Sequence, residues 1–320
     1  MSREENIQKA FNQFNDTITL SASKKENLRR GRNGLRTRIK NKFDEKERLQ
    51  PKFHMQGSFA MKTTINTIDN KEYDVDDGVY IQGYSDKEMS DWPSVQTVHN
   101  WIKDAVQGHT STEPIDKNTC IRVVFADNYH IDLPIYINKD EIIYLAHKEK
   151  GWTVSDPKEF TDWFVDKVKS YGEQVRSIVE YLKAWKDYKG IDLKGIEITI
   201  LVGDNFYKNA ENDLNSLLGT IVNINNTLNY KFSCKKPVRP YEDLFEKKTE
   251  SQRKQILDSL KELEDKLNEA VNEKDIDKVN EILKEMFGDR FPKIEKEKEE
   301  QEKYVKTSSP AIIKNDGHSA

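Results

Sequence analysis

Tyr73-Asp74-Val75-Asp76-Asp77-Gly78-Val79-Tyr80-Ile81-Gln82 is the stretch from which the rest of the chain is read. Apolar and polar residues alternate through its first half, the period of a strand with one face packed. Side chains at i and i+2 of a strand share a face. Asp74 and Asp76 therefore project together, while Val75 points into the packed side. Two carboxylates held side by side repel, and a divalent cation relieves that repulsion. Asp77 faces the other way by parity and reads as structural, bonded to backbone near Gly78.

Working outward, residues 53–59 read as a short strand running into Gly57-Ser58. Glycine lets backbone approach a phosphate without a Cβ. Ser58 adds a hydroxyl and an N–H, and a helical turn over 59–63 would add further free N–H groups. Downstream, residues 120–126 and 129–137 read as strands joined by Asp127-Asn128, a hairpin-type turn. Within His130-Ile131-Asp132-Leu133-Pro134 the same alternation sets Asp132 opposite to Ile131 and Leu133. If this strand neighbours 73–82, Asp74, Asp76 and Asp132 converge. Three such carboxylates suit two Mg²⁺ ions, which take carboxylates, phosphate oxygens and water. Asp-x-Asp alone says little in a chain with 56 acidic residues, and Asp275-Ile276-Asp277 repeats it at a helix start. The order of parts carries the meaning: a strand, Gly-Ser, a spacer, Asp-x-Asp on a strand, and a lone Asp on a later strand. That set is what transfer of a nucleotide from a triphosphate requires.

Composition narrows the classes. The chain has 320 residues, 35% hydrophobic and 34% charged, with 13 Phe, 13 Tyr and 5 Trp, which predicts one bilobal unit or two domains rather than disorder. No window approaches the roughly 20 apolar residues of a membrane span. The charged start MSREENIQKAFNQF lacks a secretory core, so a cytoplasmic location is expected. Cys120 and Cys234 make neither a disulfide framework nor a zinc site. Net charge is -4, yet residues 21–52 hold 12 Lys and Arg against four acids. A polyanion could meet that segment, but the negative total and the lack of interleaved aromatics before Phe43 favour a solvated helix face.

Residues 4–48 predict two helices, divided at Ser21 to Ser23, and 94–106 predicts a third. The chain changes character near Gly151 and becomes mostly helical, over 159–168, 171–189, about 210–229, 250–272 and 275–287; 196–203 is short and apolar. Ile256, Leu260, Leu263, Leu267 and Val271 recur at helical spacing. Pro292 is expected to end the folded part, leaving 293–320 as a charged, flexible tail.

QGSFAMKTT, EYDVDDGVYI and HIDLPIYI resemble the cGAS/DncV-like nucleotidyltransferases (CD-NTases) of bacterial CBASS anti-phage signalling. The resemblance continues through LAHKEKGWTVSDPKEFTDWF, VEYLKAWKDYKG and KPVRPYEDLF, over about residues 50–290. It implies an α+β fold: a polymerase-β-like core with a mixed sheet (1–150), a helical C-terminal lobe (151–292) and an active site in the cleft between them. It implies Mg²⁺-dependent condensation of two or three NTPs into a cyclic oligonucleotide with release of pyrophosphate, two metals per site, and Mn²⁺ as a substitute. Asp74, Asp76 and Asp132 match the catalytic and metal-binding acids, and Gly57 and Ser58 the triphosphate motif. Lys183 matches a basic residue set against the donor triphosphate; it lies off the apolar stripe Val175, Ile178, Val179, Leu182, Trp185. Lys186 reads as a surface lysine. Thr199 is a looser match, a second hydroxyl near the phosphates. Arg239 and Asp243 stand where the family often has an acid and an asparagine. Tyr136, Tyr207 and Phe232 are candidate base-stacking residues, more simply read as packing. The animal enzyme's zinc insertion has no counterpart here, which weakens the case for a nucleic-acid partner. In some related systems a ubiquitin-transfer-like enzyme conjugates the synthase tail, and Ser319-Ala320 ends a polar stretch that suits this. Two other classes fit the same residues: a nucleotidyltransferase acting on an RNA 3′ end or a protein hydroxyl, and a regulatory module with a degenerate site.

Overall fold

The computed structural model describes residues 2–68, 73–210 and 212–295. Two helices open the chain, α1 (Arg3–Ile18) and α2 (Ala22–Glu45), capped by Ser2 and Ser21, whose hydroxyls accept from Glu5 and Lys24 N–H. β1 (Lys52–Gln56) passes directly into a five-residue helix, α3 (Gly57–Met61), so the strand expected to 59 stops at 56. β2 (Tyr73–Ile81) and α4 (Val95–Val106) follow. Next come β3 (Ile115–Asp116), β4 (Cys120–Phe125), β5 (Tyr129–Lys139), β6 (Ile142–His147) and β7 (Gly151–Val154). β6 and β7 were not expected as strands; Asp140 and Glu141, both at positive φ, close the turn between β5 and β6.

The strands form one mixed sheet in the order β1-β2-β5-β4-β3, with β6 pairing β5 and β7 pairing β6. β2 and β5 run parallel, and all other pairs are antiparallel. The register sets Gln56, Asp76, Asp132 and Arg122 in one row across four strands. Paired residues share a sheet face, so the neighbour relation expected of 73–82 and 129–137 holds.

The second half is helical: α5 (Pro157–Tyr171), α6 (Gln174–Lys189), α7 (Gly195–Asn205), α8 (Asp213–Tyr230), α9 (Glu250–Asn272) and α10 (Ile276–Phe287), then a 3-10 turn at Gly288–Arg290. The apolar stretch 196–203 lies within α7, whose all-round burial explains why it shows no stripe.

Apolar side chains gather into two large cores. One joins the sheet with α2 and α4 through Leu28, Leu35, Ile39, Val98, Ile102, Ile131 and Leu133. The other joins the later helices around Tyr181, Trp185, Leu217, Leu263 and Phe287. α1 was expected with the sheet, in the 1–150 lobe. Instead Ile7, Phe11, Phe14 and Ile18 pack in the helical core, where Phe14 stacks on Tyr181 and Phe11 meets Tyr181 and Phe291 at a tilt and edge-on. A stripe of four large apolar residues needs an apolar partner, and α6 with the 287–291 turn supplies it. The chain end differs too. Pro292 does not close the core, because Ile294 is 1% exposed within it and Lys9 pairs with Glu295 at 2.6 Å. Residues 296–320, with the conjugation reading of Ser319-Ala320, lie outside the described residues. Among the described residues no helix is long and apolar enough to cross a membrane.

Candidate active site

The sheet edge and the helical core enclose a cavity of about 500 Å³. Gly57, Ser58, Asp74 and Asp76 line its sheet side, and Lys183 and Thr199 its helical side. Six of the seven residues expected at the site thus face one space. The seventh, Asp132, does not line it.

Asp132 sits beside Asp76 in register, as strand parity predicted. Both its oxygens accept from Arg122, Nε to Oδ1 and Nη2 to Oδ2, each at 2.8 Å. A fork-to-fork pair of this kind fixes the carboxylate's orientation. Arg122 was invisible as a site residue because its role depends on lying opposite Asp132 across the β4–β5 pair. Among the described residues no three His, Cys, Asp or Glu side chains are grouped to hold one metal ion. The trio expected from the sequence is therefore, in this structure, a pair plus an acid held by an arginine.

The pair itself is electrostatically loaded. Burial first, then the charges of Asp74 and Asp132, push the Asp76 carboxyl up from the ordinary carboxylate range, while Arg122 pulls it down. Its position depends on the glycine opposite. Gly57 has φ +70°, and a Cβ there would stand 2.3 Å from Asp76 Oδ2. Gly57 is thus required for close approach as well as for backbone conformation. A donor set of hard carboxylate oxygens, one of them raised by like charges, suits Mg²⁺, which takes one or two carboxylates and completes its shell with phosphate and water.

Ser58 and Thr64 share a hydroxyl contact of 2.8 Å. One proton lies between them and the other remains to donate outward. Lys183 is 8% exposed, and its Nζ donates to the carbonyl and hydroxyl oxygens of Thr63 at 2.9 and 3.0 Å. Burial lowers its pKa to about 8, against the attraction of Glu180 and Asp74. Thr199 is fully buried, and its hydroxyl donates to Gly195 O at 2.8 Å. Its proton is committed within α7, so Thr199 offers an anion no donor in this arrangement.

Three cations were missed; one of them, Lys236, lines the cavity and pairs with Glu242 at 2.5 Å. Lys186, expected as a plain surface residue, lines the cavity, as does Arg239 from the segment after α8. Neither has an acidic partner within 4 Å among the described residues. One turn separates Lys186 from Lys183, yet its exposure to the cavity follows from where α6 lies against the sheet. Tyr136 also lines the cavity, stacked on Tyr80 with ring centroids 4.9 Å apart and accepting from Gln56 Nε2 at 2.9 Å. Tyr207 and Phe232 do not line it; Phe232 stacks on Phe245. Asp77 is fully buried and receives Arg36 Nε at 2.7 Å, so its partner is a side chain of α2 and not nearby backbone.

Residues 51–136 match the family model of the cyclic GMP-AMP synthase DncV-like nucleotidyltransferase domain. That stretch is similar to a DncV-like nucleotidyltransferase domain. Gly57, Ser58, Asp74, Asp76, Arg122 and Asp132 all fall inside it. The chain is 29% identical over 192 residues to a cyclic GMP-AMP synthase of Escherichia albertii, a match that takes in 56% of this chain and 42% of that protein. The chain thus spans about half the length of the curated relatives it matches. Its fold is similar to that of the Vibrio cholerae DncV cyclic AMP-GMP synthase, solved with the linear intermediate 5′ pppA(3′,5′)pG. That likeness has a TM-score of 0.73 at 19% identity and covers 88% of this chain and 97% of the other. It is also similar to the Bradyrhizobium diazoefficiens CD-NTase CdnG, solved with GTP, with a TM-score of 0.70 at 15% identity over 88% and 95% of the two chains. These likenesses show a shared mixed α+β fold that extends well beyond residues 51–136.

Proposed function

We propose that the protein is a Mg²⁺-dependent nucleotidyltransferase that condenses two or three NTPs into a cyclic oligonucleotide second messenger for anti-phage defence, releasing pyrophosphate. The observation that carries this reading is one cavity onto which Gly57, Ser58, Asp74 and Asp76 open from the sheet and Lys183 and Lys186 from α6. A cavity of about 500 Å³ falls in the range of small-molecule sites. The E. albertii relative's name and the linear intermediate held by the V. cholerae protein support the choice of small nucleotides as both donor and acceptor. In this reading the sheet core is the catalytic lobe and the helical core is the opposite wall of the cleft.

Asp74 and Asp76 would hold the metal, and Asp132 would join them by leaving Arg122. Bound Mg²⁺, or Mn²⁺ in its place, would neutralise the triphosphate and lower the pKa of the attacking hydroxyl. The chain's own residues bind and orient. The Ser58–Thr64 hydroxyl pair donates its outward proton to a phosphate oxygen. Lys183 keeps one N–H and its charge for the triphosphate, and Lys186 and Arg239 add charge without a competing acid. Alignment of the acceptor hydroxyl with the donor α-phosphorus, inside a site of fixed charges, supplies most of the acceleration.

The test is incubation with labelled ATP, GTP, CTP and UTP and Mg²⁺ or Mn²⁺, followed by phosphatase and chromatography. A phosphatase-resistant small product that is lost in Asp74→Asn, Asp76→Asn is the expected result. Label appearing on added RNA ends or on protein, with no small product, would replace cyclisation by macromolecular modification. Pyrophosphate release that survives in the double variant would remove the site assignment altogether.

A further inference from the structure

Residues 61–68 follow the Gly57-Ser58 turn and supply Met61, Thr63, Thr64, Ile65 and Thr67 to the cavity wall. Little regular structure holds them. Their own backbone contributes Thr63 N–H to Ser58 O at 2.9 Å, and Asn66 N–H reaches Ile18 O at 2.6 Å. From the first two helices and the link between them, Lys24 Nζ donates to Asn66 Oδ1 at 2.9 Å, Asn66 Nδ2 donates to Thr19 O at 2.7 Å, and Ile65 pairs with Thr19 in an isolated antiparallel bridge. Other holds come from side chains of the helical core. Arg176 Nε donates to Met61 O at 2.9 Å, and Lys183 Nζ to Thr63 O at 2.9 Å. Asp187 Oδ2 accepts from Ile68 N at 2.9 Å. Positions 176, 183 and 187 lie seven and four apart, on one face of α6. That face is a rail to which the segment is fastened.

A further hold comes from elsewhere in the chain. Arg290, in the turn after α10, donates from Nη1 to Asn66 O at 3.0 Å and from Nη2 to Ala184 O at 2.8 Å. Its Nη1 also lies 3.6 Å from Asp187 Oδ2. One planar guanidinium thereby spans the middle of the segment, the backbone of α6 at Ala184 and the carboxylate that holds Ile68. Arg290 does not line the cavity, so it has no direct route to a bound ligand. Lysine, with a single point of charge, cannot make both carbonyl contacts in that fixed fork.

We infer that Arg290 is a positioning residue of the nucleotide cavity: it fixes the 61–68 wall against α6 and so sets ligand affinity from the far end of the described chain. The inference rests on the nucleotide reading only for the identity of the ligand. A purely structural role predicts lost stability and nothing more. Arg3 provides the control, because it also donates to helix-end carbonyls, Ala270 O at 2.9 Å and Glu273 O at 2.6 Å, remote in sequence from 61–68.

The experiment compares the whole protein with Arg290→Met, Arg290→Lys and Arg3→Met below their melting temperatures. Amide hydrogen exchange without ligand is measured first. In Arg290→Met, peptides covering 61–68 should exchange about ten-fold faster, the factor that 1.4 kcal/mol makes. Peptides of α9 should be unchanged. Arg3→Met should leave 61–68 as in the wild type, and Arg290→Lys should fall between. Titration with each of the four NTPs is measured second. Whichever NTP the wild type binds should bind Arg290→Met about ten-fold more weakly, with Arg3→Met unaffected. Unchanged exchange at 61–68 in Arg290→Met overturns the inference, as does unchanged NTP affinity in a variant that melts lower. Altered exchange at 61–68 with no NTP bound by the wild type would uphold the positioning role and refute the nucleotide reading instead.

Discussion

Gly57→Ala is the most discriminating single substitution in this protein. It adds one carbon and incurs two separable costs. The first is conformational: a residue with a Cβ at φ +70° costs about 1–2 kcal/mol. The second is steric. The new Cβ would stand 2.3 Å from Asp76 Oδ2, well inside contact distance, so the carboxylate or the α3 turn must move. Asp76 has little room, since it lies between Asp74 and Asp132 and its carboxyl is already pushed up by burial and their charges. Gly108 isolates the first cost. It has φ +69°, and a Cβ added there would meet nothing within 4 Å. Gly108→Ala should therefore lose about 1–2 kcal/mol in urea unfolding with activity intact. Gly57→Ala should lose about 1–3 kcal/mol more, a typical overpacking cost. It should also lose pyrophosphate release from NTPs by 100-fold or more, on the order of the effect of ångström-scale misplacement of reacting groups. Equal stability losses in the two variants, together with near wild-type turnover in Gly57→Ala, would refute the view that this glycine makes room for the Asp76 carboxylate.

Glu180 of α6 accepts from Asn15 Nδ2 of α1 at 2.8 Å, and burial raises its pKa to about 7. Its folded pKa lies above the unfolded value, so the native state keeps a proton the unfolded chain has lost; that stability is full below about pH 4.5 and is lost as pH rises through 7. Glu180→Gln keeps the acceptor and removes the buried charge, and should gain on the order of 2 kcal/mol relative to wild type between pH 5 and pH 8 in urea titrations; an equal difference at both pH values would disprove it. Arg122→Met should cost about 1–3 kcal/mol by leaving Asp132 unpaired beside Asp76. Adding Asp132→Asn should recover part of that loss, and a double variant no more stable than the single one would show that the pair is not what Arg122 serves. Burial pushes the Cys120 thiol up to about 12 and the Cys234 thiol up as well. Neither should react with a disulfide reagent at pH 8 in the native protein, while both react in denaturant; prompt native labelling would contradict their burial.

Period and order were legible in the residues alone. Alternation in 73–82 and 129–137 put Asp74, Asp76 and Asp132 on definite strand faces, because a strand's side chains can only point two ways. Gly57 was legible as a turn position because glycine's conformational freedom is a property of the residue alone. Lys183 could be set off the apolar stripe of α6 by helical geometry, and the resemblance carried the α+β class. Whatever depends on a partner distant in the chain was settled by packing. Arg122 claims Asp132 only because β4 lies antiparallel to β5, and Arg36 reaches Asp77 only because α2 crosses the sheet. α1 left the sheet lobe for the helical core, because four large apolar side chains do not specify which apolar face they join. Thr199 turned its proton to Gly195, Lys186 turned inward to the cavity, and Arg290 closed on Asn66 from 224 positions away. Local periodicity fixes the direction of a side chain relative to its own backbone; packing of one element on another fixes what that side chain meets.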